Sequence, residues 1–280
     1  MWQIEEPEDP RLSDYSNLTD AASARGNFFI VEGVIALNRL LGTAGGTKPG
    51  SVRSVLLTPN RAASLGSIVS ACESLSIPVL VAPREVLSLV TGFDVHRGVL
   101  AAVNRAEDAS VESVLLDAQR LVVLEAINDH ENLGSIFRNA AALGIDGVLL
   151  DQRCSDPLYR RSIRVSLGHV LSTPWCRCAE LSSSLPVLRR AGYRLVGLTP
   201  RVEAQVVGEA AEEGVLDAPV AFVLGAEGGG LTEETLQNCD ALVRIPMSAG
   251  VDSLNVATSL AVVASFAAAA AAAARSTEPN

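Results

Sequence analysis

The chain has 280 residues, of which 48% are hydrophobic and 4% aromatic, which predicts two domains or one large one with a mainly aliphatic core. Its formal net charge of -10 argues against a nucleic-acid partner, because phosphate binding normally requires a basic surface. The five cysteines are odd in number and lack the regular spacing of a disulfide framework, so we expect reduced thiols in a cytoplasmic protein.

Neither end of the chain has the pattern of a membrane anchor. Residues 1–15 are acidic and polar, unlike a signal or transit peptide. The apolar run Leu260–Ala274 is shorter and richer in alanine than a membrane-spanning helix. Because alanine favours helix formation, we expect a soluble C-terminal helix there and no membrane partner.

Strand-like and helix-like stretches alternate along the chain, which predicts an α/β fold with mainly parallel sheets. The first third contains the predicted strands FFIVEG, VRSVLLTP, PVLVAP and GVLAAVN. The second part contains the predicted strands RLVVLEAI, GVLL, TPWCRC, YRLVGLTP, VAFVLG and ALVRIPM. The charged stretch 105–119 interrupts this pattern, and we place a domain boundary there.

A zinc site is an alternative for the pair Cys176 and Cys178, which has the spacing C-x-C and lies near His169 in the sequence. No second cysteine pair completes a tetrahedral set of ligands. We therefore predict no metal site.

The first candidate site segment is NDHENLGSIFRNAAALG, residues 128–144. Asn132 is predicted to cap a helix over about 133–143, whose inward face carries Ile136, Ala140 and Leu143. Arg138 lies off that face, and considered alone it is best interpreted as a surface arginine on an amphipathic helix.

The second segment, VLGAEGGGLTEE at 223–234, is a glycine-rich loop after a strand. The dinucleotide pattern G-x-G-x-x-G fails because Glu227 and Glu233 occupy required glycine positions, and no Gly-Lys-Ser/Thr follows to make a Walker loop. An acidic residue among the glycines would repel a phosphate. The loop therefore favours a ligand without phosphates, such as a cation.

The third segment is IPMSAGVDSLNVATSLAVVASF at 245–266, which passes from a strand to a helix. A helix start with Asp252 or Ser253 as N-cap explains Asp252. It does not explain why the connection from Met247 to Leu254 is so long and so rich in small residues.

The three segments together resemble the SpoU/TrmH family of RNA ribose 2′-O-methyltransferases, and the resemblance covers roughly residues 120–275. Order and approximate spacing match the family's motifs N-x-G-x-x-x-R-x-A (Asn132, Gly134, Arg138, Ala140), L-G-A-E-G-x-G-L (224–231) and I-P-M…S-L-N-V (245–247, 253–256). FFIVEG and HRGVLAAV resemble the L30e-like RNA-binding domain that often precedes this catalytic domain.

The resemblance implies a domain organisation and a special topology. We expect an N-terminal extension at 1–24, an L30e-like RNA-binding domain at 25–108, a linker at 109–119, a SPOUT methyltransferase domain at 120–275 and a tail at 276–280. The parallel-sheet SPOUT domain would carry a C-terminal trefoil knot, which sequence periodicity does not reveal.

In this family the knot loops hold S-adenosyl-L-methionine, and segment 248–255 would be long because it wraps this cofactor. By position, the resemblance implies that the cofactor is lined by Thr199, Leu224, Gly225, Ile245, Met247 and Leu254. Several of these residues would act through backbone N–H and C=O groups.

The implied reaction is methyl transfer from the sulfonium sulfur to a ribose 2′-oxygen of RNA. Arg138 matches the family's catalytic arginine. The family's arginine is often described as a general base. Because a guanidinium stays protonated, we favour binding of a phosphate and stabilisation of the developing alkoxide, and the role of base remains the alternative. The other implied catalytic residues, which orient substrate and loops, are Asn132, Glu227, Ser253 and Asn255.

The negative charge is unevenly distributed, which leaves room for an RNA-binding surface. The stretch RCSDPLYRRSIR groups four arginines as predicted RNA contacts: Arg153, Arg160, Arg161 and Arg164. With Asp156 as N-cap and Pro157 at the first position, a helix would project the last three on one side. A solvated helix face remains the alternative.

Family members work as homodimers, and the alanine-rich stretch 256–274 is a candidate interface, although core packing explains it nearly as well. We expect structured RNA as the partner, ribosomal RNA in preference to transfer RNA. A base-methylating knotted enzyme and a catalytically inactive RNA-binding or ribosome-assembly protein of the same fold remain alternatives. The failed dinucleotide pattern argues against a dehydrogenase.

Overall fold

The computed structural model describes residues 1–18, 27–42, 50–95 and 97–277, and the chain divides into two compact units. Unit 1 comprises Met1–Glu107 and Pro157–Ser172, and unit 2 comprises Asp108–Asp156 and Thr173–Asn280. The predicted boundary between residues 24 and 25, His96 of HRGVLAAV, and residues 278–280 of the predicted tail lie outside the described residues.

Unit 1 is built on a five-stranded mixed sheet with the strand order β1-β4-β3-β5-β2. Its strands are β1 (Trp2–Gln3), β2 (Phe28–Glu32), β3 (Val52–Leu57), β4 (Val79–Val81) and β5 (Val99–Asn104). Its helices are α1 (Val34–Gly42), α2 (Pro59–Ser64), α3 (Gly66–Ser74), α4 (Arg84–Thr91) and α7 (Arg160–Val165). Strand β5 runs antiparallel to β2 and β3, so the prediction of mainly parallel sheets is wrong for this unit.

The N-terminal residues belong to unit 1 and are not an appended extension. Strand β1 pairs with β4 in parallel, a strand that the sequence pattern did not predict. Leu12 and Tyr15 are buried in the core of the unit. The Tyr15 hydroxyl donates a hydrogen bond to the carbonyl oxygen of Ser54 at 2.9 Å, and burial raises the pKa of this phenol.

Residues 157–172 belong to unit 1, although the preceding residues 108–156 belong to unit 2. The predicted helix start at Pro157 is wrong, because α7 begins at Arg160 after Tyr159. The Arg160 guanidinium lies 3.9 Å from the centroid of the Phe93 ring and 3.7 Å from a carboxylate oxygen of Glu32. Arg160 is therefore engaged within its own unit and does not stand free on a helix face.

Unit 2 is built on a seven-stranded sheet in which every pair of neighbouring strands is parallel. The order is β10-β12-β9-β11-β6-β7-β8. The strands are β6 (Arg120–Glu125), β7 (Gly147–Leu150), β8 (Trp175–Arg177), β9 (Arg194–Leu198), β10 (Gln205–Val206), β11 (Val220–Gly225) and β12 (Ala241–Arg244). The helices are α5 (Val111–Leu115), α6 (His130–Ala142), α8 (Leu181–Arg190), α9 (Val207–Glu212), α10 (Glu233–Gln237) and α11 (Val256–Thr277).

Each strand predicted from the sequence is present in the two sheets, and β1 and β10 are added to them. The predicted linker at 109–119 is instead a packed part of unit 2. Ser110 caps α5 by accepting a hydrogen bond from the backbone N–H of Ser113 at 3.2 Å. Val114 is buried against Gly147, where an added Cβ would lie only 2.5 Å from its side chain.

Helix α11 is longer than the sequence analysis assumed. Its 18-residue stretch Val256–Ala273 has a mean hydropathy of 1.9, so by length and composition alone it could cross a membrane, and the argument from shortness is wrong. In the structure the helix packs against α6, α9 and β11. It buries the side chains of Leu260, Val263, Ala264 and Ala267 in unit 2, a contact that accounts for part of its apolar character.

We expect Tyr15→Phe to lower the free energy of unfolding by about 1–3 kcal/mol, because it leaves the buried polar groups around Ser54 without their partner. Chemical denaturation measures this loss. Leu89→Ala, at a position 70% exposed, is the control and should change stability little. Equal stability of Tyr15→Phe and the unchanged protein would contradict the packing of residues 1–18 into unit 1.

Candidate active site in unit 2

A cavity of about 520 Å³ lies beyond the carboxyl ends of strands β9, β11 and β12. Ligands of open parallel sheets bind at this edge. The structure places all six predicted cofactor residues in the lining: Thr199, Leu224, Gly225, Ile245, Met247 and Leu254. Of the predicted catalytic residues, Glu227 and Ser253 also line it.

The glycine-rich loop after β11 folds back tightly on itself. The backbone N–H of Gly230 donates to the carbonyl oxygen of Ala226 at 2.9 Å. A Cβ added at Gly225 would lie 2.2 Å from the backbone carbonyl of Gly230, so only glycine fits there. The loop therefore brings backbone groups, with few side chains, to the wall of the cavity.

The segment between β12 and α11 lines the cavity along the part that precedes the helix. It turns at Gly250, which has a φ of 84°, and the N–H of Val251 donates to the carbonyl oxygen of Ser248 at 3.2 Å. Asp252, Ser253 and Leu254 then contribute to the lining. This segment is thus part of a cavity wall and not a plain connecting turn.

Asn255 connects the three sequence segments through its side chain. Its Nδ2 donates to Oδ1 of Asn132 at 2.6 Å and to Oε1 of Glu227 at 2.9 Å. Its Oδ1 accepts from the backbone N–H groups of Ala257 at 3.0 Å and Thr258 at 3.2 Å. Asn255 is therefore the N-cap of α11, and the prediction that Asp252 or Ser253 caps this helix is wrong.

Asn132 is not the helix cap that the sequence suggested. Asp129 caps α6, because its Oδ1 accepts from the N–H groups of Glu131 at 2.9 Å and Asn132 at 2.8 Å. The Asn132 side chain in the first turn is therefore available to Asn255. Two turns later, Asn139 Nδ2 donates to the carbonyl oxygen of Ala257 at 2.8 Å, which fixes α6 against the start of α11.

Arg138 precedes Asn139 on α6 and is exposed. Its guanidinium forms no hydrogen bond or ion pair with any residue that the structure describes, and it is not part of the cavity lining. Arg138 thus presents an uncommitted cation on the helix that supplies Asn132.

The charged groups at the cavity wall are Glu227, Asp252 and Arg201. Arg201 forms an ion pair with Glu233, which raises the pKa of Arg201 and lowers the pKa of the Glu233 carboxyl. Because the arginine has this partner, the two acidic lining residues dominate the local charge. The cavity therefore suits a cationic or neutral ligand better than a polyphosphate.

The structure assigns the four predicted RNA-binding arginines to different units. Arg153 belongs to unit 2 and Arg160, Arg161 and Arg164 to unit 1. Arg153 is ion-paired with Glu125 and Asp151, two buried carboxylates that the sequence analysis missed. The available signal was their position at the carboxyl ends of the apolar strands β6 and β7.

Cys176 and Cys178 are both buried, and a hydrogen bond from Cys176 lowers the pKa of the Cys178 thiol. His169 belongs to unit 1. Across residues 1–18, 27–42, 50–95 and 97–277, no three His, Cys, Asp or Glu side chains are grouped as metal ligands.

We expect Asn255→Ala to lower the free energy of unfolding by about 1 kcal/mol, because α11 loses its N-cap. Asn255→Ser should recover most of this loss, since serine also accepts from the first backbone N–H groups. Thr258→Ala in the same turn is the control. Denaturation midpoints that are as low for serine as for alanine would contradict the capping role.

Comparison with known proteins identifies the family of this chain. The SpoU rRNA methylase family matches residues 119–265, and the RNA 2′-O ribose methyltransferase substrate-binding family matches residues 30–109. An uncharacterized tRNA/rRNA methyltransferase of Mycobacterium tuberculosis is 41% identical over 263 residues, covering 92% of this chain and 88% of the relative. The 23S rRNA (guanosine-2′-O-)-methyltransferase RlmB of Nitrosomonas europaea is 31% identical over 219 residues, covering 76% and 82%.

Solved structures agree with this assignment at the level of the fold. A crystal structure of an RNA 2′-O ribose methyltransferase is 26% identical, with a TM-score of 0.74 over 96% of this chain and 99% of that chain. The SpoU methyltransferase AviRb from Streptomyces viridochromogenes, solved in complex with AdoMet, has a TM-score of 0.79 at 21% identity over 95% and 100%. From the sequence matches and the shared fold, the chain belongs to the SpoU family of RNA methyltransferases.

Proposed function

We propose that this protein transfers a methyl group from S-adenosyl-L-methionine to a ribose 2′-hydroxyl of ribosomal RNA. The observation that carries the proposal is the hydrogen-bonded group of Asn132, Glu227 and Asn255 beside the cavity. The relative from Nitrosomonas europaea, whose printed name specifies 23S rRNA and guanosine 2′-O-methylation, supports the choice of substrate.

The residues of the cavity fit this cofactor. Its volume of about 520 Å³ falls in the range of about 300–1,000 Å³ that small-ligand sites occupy. Leu224, Ile245 and Leu254 supply apolar walls, and the glycine-rich loop supplies backbone donors and acceptors. Glu227 and Asp252 favour a positive ligand. When bound, S-adenosyl-L-methionine supplies an electrophilic methyl group on a sulfonium sulfur.

The proposal uses two kinds of polar residue, those joined by hydrogen bonds at Asn255 and the exposed Arg138. Asn255 orients Asn132 and Glu227 relative to each other while it fixes the start of α11. The Arg138 guanidinium binds an RNA phosphate and stabilises the negative charge that develops on the 2′-oxygen. As a permanent cation, Arg138 does not accept the hydroxyl proton.

The proposal includes a homodimer and a cytoplasmic location. Apolar side chains of α11 and of the segment before it are exposed in the single chain, among them Val251 at 49%, Leu254 at 38% and Phe266 at 39%. A second copy packed against α11 would cover these side chains. Five cysteines without a disulfide among them are consistent with a reducing compartment.

We expect Arg138→Ala to lower the methyl-transfer rate by about 100-fold or more, since one donor to a developing oxyanion is typically worth that much. Its dissociation constant for S-adenosyl-L-methionine should stay within about twofold, because Arg138 is not part of the cavity lining. Ribose methylation of ribosomal RNA fragments is measured by mass spectrometry and cofactor binding by calorimetry.

Arg190→Ala is the matched control, because Arg190 is also an exposed arginine on a helix of unit 2. Lost cofactor affinity in Arg138→Ala with intact transfer would contradict the role of Arg138. An unchanged protein that binds no cofactor at all would contradict the proposed function and favour an inactive RNA-binding protein.

The exposed arginines of α7 should contact RNA phosphates. Reversing the charge at Arg161 and Arg164 removes two cations, so RNA affinity should fall. The slope of the logarithm of the binding constant against the logarithm of the salt concentration should become less steep by about 0.7–0.9 for each lost phosphate contact. Filter binding over a salt series measures both quantities, with Arg190→Glu as the control. An unchanged slope would place the RNA surface elsewhere.

A further inference from the structure

Two carboxylates are buried side by side at the carboxyl edge of the parallel sheet in unit 2. Glu125 is the last residue of β6, and Asp151 follows β7; their side chains are 4% and 7% exposed. Arg153 donates to Oε1 of Glu125 through Nη2 at 2.9 Å and to Oδ2 of Asp151 through Nε at 3.0 Å. Without this guanidinium, two negative charges would be buried without compensation, at a high cost in free energy.

Asp151 holds the chain that leaves β6. Its Oδ1 accepts from the backbone N–H groups of Ala126 at 3.0 Å and of Cys154 at 2.9 Å. Ala126 has a φ of 58°, a backbone conformation that residues other than glycine rarely adopt. The hydrogen bond to Asp151 therefore fixes an unfavourable turn, and this turn leads directly to the start of α6 and Asn132.

Glu125 holds the glycine-rich loop at both ends. Its backbone is the register partner of Gly225, where the loop begins. Its Oε2 accepts from the N–H of Thr232 at 3.1 Å, and its Oε1 accepts from the Thr232 hydroxyl at 2.9 Å, where the loop ends. Thr232 also caps α10 by accepting from the N–H of Thr235 at 3.3 Å.

We propose that Arg153 is a positioning residue that holds the glycine-rich loop and the turn leading to Asn132 in one fixed arrangement by neutralising Glu125 and Asp151. The inference rests on the proposed function, because these two segments form the cofactor cavity and the polar group around Asn255. It replaces an RNA contact as the role of Arg153. The side chain is 60% exposed, yet its Nε and Nη2 donors are directed at the two buried acids.

The test is a double-mutant cycle on the full-length chain, with the dissociation constant for S-adenosyl-L-methionine measured by calorimetry. Arg153→Met should raise this constant about 10-fold or more, since small displacements of binding groups have effects of that size or larger. The effect of Arg153→Met should be smaller in the Glu125→Gln background, because the neutral amide removes one uncompensated charge and still accepts from Thr232. Arg190→Met, which changes another exposed arginine of unit 2, is the matched control and should leave the constant unchanged.

An RNA-binding role for Arg153 predicts a different pattern. In that case Arg153→Met leaves cofactor affinity unchanged, weakens RNA binding and lowers its salt slope, and this result would overturn the inference. Equal effects of Arg153→Met with and without Glu125→Gln would also overturn it, because the arginine would not act through Glu125.

Two further measurements keep the outcome decisive. If Arg153→Met does not fold, Glu125→Gln alone carries the test. Its amide has one oxygen in place of two, so it keeps only one of the two hydrogen bonds from Thr232; cofactor affinity should fall, and unchanged affinity overturns the inference. Cofactor binding by the unchanged protein distinguishes a failure of the proposed function from a failure of the role of Arg153. Its absence contradicts the proposed function, whereas normal binding by both the unchanged protein and Arg153→Met contradicts only the role of Arg153.

Discussion

The site depends on one amide group, that of Asn255. An asparagine side chain offers an oxygen that accepts and a nitrogen that donates, and here the two ends have different tasks. The oxygen starts α11 by accepting from its first backbone N–H groups, and the nitrogen reaches Asn132 and Glu227. The position of the last helix and the geometry of the polar group are therefore set by the same side chain.

The helix and the sheet around this amide restrict where the polar residues can lie. Helix α6 contacts α11 at two points, two turns apart. Asn132 accepts a hydrogen bond from Asn255, and Asn139 donates one to the carbonyl oxygen of Ala257. On the opposite side, the loop that carries Glu227 begins at Gly225, where the close approach of Gly230 excludes any side chain. The site thus combines two rigid helix ends with a loop whose shape is dictated by backbone contacts.

The distribution of charge, rather than its sum, decides which cations a chain with a net charge of -10 can offer to RNA, the substrate of its family. Arg153, Arg160 and Arg201 are all committed to carboxylates of their own unit. Arg138 and Arg164 are exposed and form no ion pair with a described residue. Net charge was a poor guide to the partner because it counts committed and uncommitted cations equally.

The sequence by itself determined the α/β class, every strand except β1 and β10, and the three segments that meet at Asn255, because apolar alternation and motif order are local properties of the chain. Only the tertiary structure decided which asparagine caps which helix, which arginines are paired, and that residues 1–18 and 109–119 belong to the two cores. Asn132 was predicted as a cap because asparagine is a good N-cap residue, but Asp129 takes that position; Arg153 and Arg164 were predicted alike as RNA contacts. The choice between them is made by partners such as Asn255 and Glu125, which are distant in the sequence and become neighbours only when the sheet has formed.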